Sequence, residues 1–262
     1  MYYAELLRAR RALVWYGGIF LACAALGIAL AFKDGPPRMH MSHGANPVIP
    51  LAGLLLGAAF GPILLAGFMA VGLDAEFKTA AITWTRPVER LRIALTYVAI
   101  DVATLLAAWA FTIAVALIGI AALGLAQYVN GSDAHQLGTW LPLAFGCALM
   151  WYGLVLLCTT LLPGRGNAIV GASWAYALFV PGLAAIPFPP LLHKVMVALN
   201  YINPLAYLSS SGPDRGGVHV QAGGEGQFFG GSAPSHALVA WLIAIAAVAI
   251  GTRLWTVREV PA

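Results

Sequence analysis

Charge is what this sequence has least of. Only 9% of its 262 residues are Asp, Glu, Lys or Arg, while 61% are hydrophobic, against about 25% charged in an average soluble domain. A water-soluble fold of this size cannot cover its surface with so few polar groups, and the apolar content equally excludes intrinsic disorder and collagen-like repeats. Cysteine is scarce as well. Cys23, Cys147 and Cys158 all stand inside apolar runs with no C-x-x-C spacing, which excludes a disulfide scaffold and reads as small buried apolar side chains. Catalytic signatures are missing too. The chain has no G-x-x-x-x-G-K-[ST] phosphate loop, no H-E-x-x-H and no G-x-S-x-G. The glycine-rich Gly223-Gly224-Glu225-Gly226 lacks the lysine that would make it one. The formal charge of +4 does not point to nucleic acid, because the basic residues sit at the ends of apolar runs rather than in a patch.

What is there is length in apolar runs. A bilayer core about 30 Å thick needs roughly 20 apolar residues per helical crossing. Six stretches qualify: 13–32, 48–73, 93–126, 139–162, 168–186 and 236–255. The expected fold is an all-α integral membrane protein of six transmembrane helices, a single transmembrane domain over residues 1–262. The third run exceeds one perpendicular crossing and is expected to tilt or to begin at the interface. Residues 1–12 place Tyr2, Tyr3, Leu6 and Leu7 at near-helical spacing with Glu5, Arg8 and Arg11 opposite, the pattern of an interfacial amphipathic helix. Between the fifth and sixth runs, residues 187–235 form an outer segment. Its first part, Leu191–Leu208, is apolar enough to dip into the membrane, and its second part is Gly-rich.

Basic residues divide unequally between the two sides. Arg8, Arg10, Arg11, Lys78, Arg86, Arg90, Arg92, Arg165, Arg253 and Arg258 fall on one side, against Lys33, Arg38, Lys194 and Arg215 on the other. The positive-inside rule therefore places both ends of the chain in the cytoplasm of a multi-pass cell-membrane protein.

Three features carry possible chemistry. Asp101 is an acidic residue well inside a span, a functional candidate by default. It reads either as the carrier of an ion-coupled secondary transporter or as an inner-leaflet carboxylate paired with an arginine such as Arg10 or Arg11. Met39, His40, Met41 and His43 form an M-H-M-x-H run in the first outer loop; thioether and imidazole suit Cu(I), as in a metal-handling system, although loop histidines are ordinary. Gly53, Gly57 and Gly61 recur every four residues in the second run. Such a stripe lets helix backbones approach closely, within the subunit or between subunits.

The most informative stretch is the inner connection 74–92, which is long enough for a short helix of its own. It contains Glu76, Lys78 and Thr79 and ends in Thr85-Arg86-Pro87-Val88-Glu89-Arg90; Arg86, preceding a proline, is disfavoured in the α region and should end that helix. Here the chain resembles the permease subunits of type-2 ATP-binding-cassette (ABC) exporters, in which an acidic residue and a Gly-Thr step lead to T-x-P-V-x-R between the second and third spans. Glu76 stands at the acidic position and Lys78-Thr79 in place of Gly-Thr, while Thr96-Tyr97 stands where the family often has Gly-Lys. Asn203-Pro204-Leu205 is similar to the family's outer Asn-Pro-Leu. The resemblance implies a non-catalytic half-transporter of the bacterial inner membrane, with an interfacial amino-terminal helix, a cytoplasmic coupling helix and a re-entrant outer segment before the last span. It further implies a second permease copy and two cytoplasmic ATPase subunits that bind ATP and Mg. Those subunits would dock around Glu76, Lys78, Thr79, Thr85, Arg86 and Arg90. No cofactor is expected in this chain itself.

Overall fold

A computed structural model describes residues 2–32, 61–74, 90–122, 131–184, 189–210 and 233–257. These are almost entirely helical, and no strand occurs among them. The helices are α1 (Tyr2–Phe32), α2 (Gly61–Asp74, with a turn at Ala70–Val71), α3 (Arg90–Ala122), α4 (Gly131–Leu161), α5 (Gly166–Ala184), α6 (Pro190–Asn200), α7 (Pro204–Ser210) and α8 (Ala233–Val257). Four of them contain stretches long and apolar enough to cross a bilayer: Tyr3–Leu26, Arg90–Gly119, Trp140–Leu161 and Pro234–Val257. The chain is thus an all-α, multi-pass membrane protein. The described part of the second run and α5 are shorter apolar helices.

The third run begins at Arg90, three residues earlier than expected, and its helix spans 33 residues. That is roughly 50 Å at 1.5 Å per residue, well beyond the roughly 30 Å apolar core, so α3 projects from the membrane or tilts strongly within it. Residues 1–12 and 13–32 are not two elements, since α1 runs unbroken from Tyr2 to Phe32.

Tyr3 and Leu6 are exposed on the outside of the bundle, with Glu5 and Arg8 on the opposite face as the spacing suggests. What the sequence does not show is that this charged face is turned into the protein, where Glu5 is buried and Arg8 points inward. Glu5, Arg8, Ala9 and Tyr16 follow the i, i+3, i+4 pattern of one helical face, and that face packs on the protein. Charges turned inward find partners there, whereas outward-facing leucines are at home in lipid.

α4 is the centre of the molecule. In its crossing stretch 72% of residues are buried, against 6% for α1, so α4 is sheathed by other helices and α1 lies at the periphery. α8 packs along α4 through small residues. A side chain at Gly146 would strike Trp241, one at Gly153 would come within 3.0 Å of the Ala244 carbonyl, and one at Gly251 would press on Leu156 and Leu157. Membrane helices associate through such close backbone approach because lipid provides no hydrophobic drive between them. Pro142, inside α4, lends its carbonyl to the Trp241 indole N–H at 3.1 Å. Of the three cysteines, Cys147 is buried as expected. Cys23 and Cys158 are instead exposed on the bundle's surface, an apolar setting in a membrane all the same.

Candidate functional site

Arg8 is the centre of a polar node inside the bundle. Its guanidinium donates to Glu5 Oε2 at 2.7 Å, to the Met69 carbonyl at 3.3 Å and to Asp101 Oδ1 at 2.5 Å, and it lies 5.6 Å from the Tyr97 ring centroid. The other Asp101 oxygen accepts from the Tyr152 hydroxyl at 3.0 Å. One cation thereby joins α1, α2 and α3, and Asp101 extends the connection to α4. Gly72 makes room for it: any side chain there would collide with the Arg8 guanidinium.

The expected partner of Asp101 is therefore corrected. It is Arg8, not Arg10 or Arg11, both of which are exposed. Successive helix residues differ by 100° around the axis, so only Arg8 shares the inward face with Glu5. Asp101 is 1% exposed and the Arg8 side chain 29%. A buried carboxylate is tolerated when paired and hydrogen-bonded, and both oxygens of Asp101 are engaged. An arginine stays protonated throughout the physiological range. If the carboxylate took up a proton, Arg8 would keep only Glu5 as its counter-charge; with both carboxylates in place the node ties four helices together.

A second constellation fixes the end of the bundle where the inner connection begins. Asp74 closes α2 and accepts the Gly164 backbone N–H at 2.7 Å and that of Gly166 at 3.3 Å. It thus caps the start of α5 and ties down the turn after α4. Gly164 has φ 74°, a left-handed conformation that glycine adopts without steric cost. At Gly166 an added side chain would meet Val71 and the Asp74 carboxylate. The Trp255 indole of α8 donates to the Leu73 carbonyl at 3.3 Å. The connection 75–89 therefore leaves from a point held by α5, α8 and the α4–α5 turn. Of the docking residues expected on it, Arg90 opens α3. Glu76, Lys78, Thr79, Thr85 and Arg86 lie outside the described residues, as do Gly53, Gly57, Met39, His40, Met41 and His43.

Gly61 is described, and its neighbour is in the same chain. A side chain there would collide with the Tyr16 hydroxyl, which bonds Thr112 of α3 at 2.7 Å. Close packing at Gly61 is within the subunit. Among the described residues no group of three His, Cys, Asp or Glu side chains is arranged to hold a metal.

On the opposite side of the bundle, the Asn203-Pro204-Leu205 step has a structural reason. Asn203 is fully buried. Its Oδ1 accepts the Leu205 N–H at 3.0 Å and caps α7, while its amide donates to the Ala177 carbonyl of α5 at 3.1 Å. Tyr176 of α5 bonds the Leu199 carbonyl. Ala177 lies seven residues before the end of α5 at Ala184, about 10 Å along the axis, so the α6–α7 turn reaches well down the side of α5.

Several residues that organise these sites escaped the sequence reading: Arg8 as the partner of Asp101, Tyr152, Trp255, and Asp74 as a cap. Asp74 carried a signal, since it is an acidic residue at the end of an apolar run, where the inner connection begins. Tyr152 and Trp255 carried none beyond being polar-tipped aromatics in membrane helices. No family model, curated protein or solved structure matches this chain.

Proposed function

We propose that this chain is the membrane permease half of an ATP-driven exporter, paired with a second permease copy and powered by a separate cytoplasmic ATPase. The observation that carries the reading is the Thr85-Arg86-Pro87-Val88-Glu89-Arg90 signature on the connection between the second and third apolar helices. The rigid departure point of that connection supports it. Asp74 and the Leu73 carbonyl are held by three other parts of the bundle, so a push on the connection would be transmitted to helix ends rather than absorbed by a loose hinge. The reach of the α6–α7 turn down α5 fits a re-entrant outer segment. Two shorter apolar helices beside the four long ones are compatible with a six-span layout. The chain carries no phosphate loop of its own, which fits a division of labour with a nucleotide-binding partner. Substrate would leave on the outer side, between the two permease copies. An ion-coupled carrier built on Asp101 is the weaker reading, because Arg8 engages that carboxylate directly.

The test is reversal of charge on the inner connection. Glu76→Lys places a cation where the resemblance implies an acidic contact; losing one partner of a desolvated interface pair costs about 2–5 kcal/mol. The expected result is a normally inserted protein that no longer co-purifies with its ATPase subunit and no longer supports transport. Wild-type association and transport in Glu76→Lys, with Arg86→Glu equally silent, would place the coupling contact elsewhere. A wild-type chain that retains no ATPase in mild detergent would end the exporter reading.

A further inference from the structure

An open groove of about 570 Å³ lies between the amino-terminal part of α1 and the start of α3, lined by Leu6, Leu91, Arg92, Leu95, Thr96, Ala99 and Ile100. Arg92, Leu95, Thr96 and Ala99 fall at i, i+3, i+4 and i+7, a single face of α3. From Arg92 to Ile100 the groove runs eight residues inward, roughly 12 Å. Its polarity is graded. Arg92 is the one charge in the lining and stands at the start of α3, while the walls farther along are mainly aliphatic. We infer that this groove holds an anionic phospholipid of the inner leaflet, its phosphate on Arg92 and one acyl chain along Leu95, Ala99 and Ile100 against Leu6.

Charge complementarity selects the headgroup. Among the described residues, the carboxylates of the two helices that line the groove, Glu5 and Asp101, are turned into the bundle and bonded to Arg8, so neither repels an anion. Arg10, one helical turn from Leu6, is exposed and adds to the positive field. Thr96 donates its hydroxyl to the Arg92 carbonyl at 2.7 Å, which leaves the guanidinium as the donor facing a phosphate. Anionic lipids of the inner leaflet are drawn to basic side chains at the membrane edge. A lipid seated here would fill the gap between the peripheral α1 and the rest of the bundle. This holds whether or not the chain works with an ATPase.

Native mass spectrometry of the detergent-solubilised full chain, incubated with phosphatidylglycerol or with phosphatidylcholine, reads the lipid retained. Phosphatidylglycerol should be held over phosphatidylcholine by about fivefold, the worth of one basic residue near a membrane surface. Arg92→Gln should erase that preference, Arg92→Lys should keep it, and Ala99→Phe, which fills the groove from an exposed position, should lower retention of both lipids. Equal retention of the two lipids by the wild type, preference intact in Arg92→Gln, or full retention in Ala99→Phe would each overturn the proposal. Equal retention is also what is expected if residues 75–89 or a second copy covers the groove instead.

Discussion

A carboxylate in the apolar part of a membrane helix is costly, and at Asp101 the cost is offset by a cation and a hydroxyl. Breaking such a pair from one side leaves an uncompensated buried charge, at about 3–5 kcal/mol, whereas replacing both partners by apolar groups is often close to neutral. Asp101→Leu and Arg8→Met should therefore each lower the thermal stability of the detergent-solubilised protein strongly. In a Glu5→Gln background, which removes the second carboxylate bonded to Arg8, the double variant should recover most of the loss. Unfolding midpoints across this double-mutant cycle check it, and simple additivity would show that the two side chains do not act as a pair. Asp101 was legible in the sequence as an anomaly, because a charge among apolar residues needs no geometry to be noticed. Its partner was not. Arg8, Arg10 and Arg11 are equivalent in composition and differ only in angle around α1, which is fixed by contacts with Met69 and Gly72 of α2, remote in sequence.

Elements were legible by length and hydropathy, and the pairing between them was not. The long apolar runs announced α3, α4 and α8 to within a few residues of their ends, apart from the start of α4, which begins at Gly131 rather than at residue 139. Small-residue spacing announced that helices would approach closely, but drew attention to Gly53, Gly57 and Gly61. The described close seam is between α4 and α8, where Gly146 and Gly153 meet Ala240, Ala244 and Ala247. Alanines every three or four residues along α8 carried that signal, and they are too common in membrane helices to stand out. Gly61 still makes a sharp test at this scale. Gly61→Leu drives a side chain into the Tyr16 ring, and overpacking of this kind typically costs about 1–3 kcal/mol. If the contact is within one chain, Tyr16→Ala in the same molecule should restore most of the lost stability. A loss that the second change fails to relieve, accompanied by a shift in oligomeric state on gel filtration, would move Gly61 to a subunit interface.

At the scale of the whole molecule, the contacts gather basic residues at one end. Arg8 touches Met69 near the close of α2, Asp74 holds the turn that contains Arg165, and Trp255, beside Arg253, reaches the Leu73 carbonyl. Arg90 and Arg92 start α3, whose Asp101 meets Arg8. Lys194 is the basic residue among those described that lies elsewhere, on α6. It belongs with the α6–α7 pair that packs on the later half of α5, away from the Gly166 end. The asymmetry counted along the sequence thus becomes a physical polarity of the bundle. Lys and Arg near helix ends are retained on the cytoplasmic side, so the arginine-rich end should face inward and the α6–α7 pair outward. A reporter that works only in the cytoplasm, fused after Val257, should be active, and one that works only outside should be silent there. The same two reporters inserted after Ser210 should give the reverse pattern. Outside-type activity after Val257 would invert the bundle, and with it the side on which an ATPase could meet Glu76. Matching behaviour at both positions would mean that an even number of crossings separates them, and the assignment of α8 as a complete crossing would then fail.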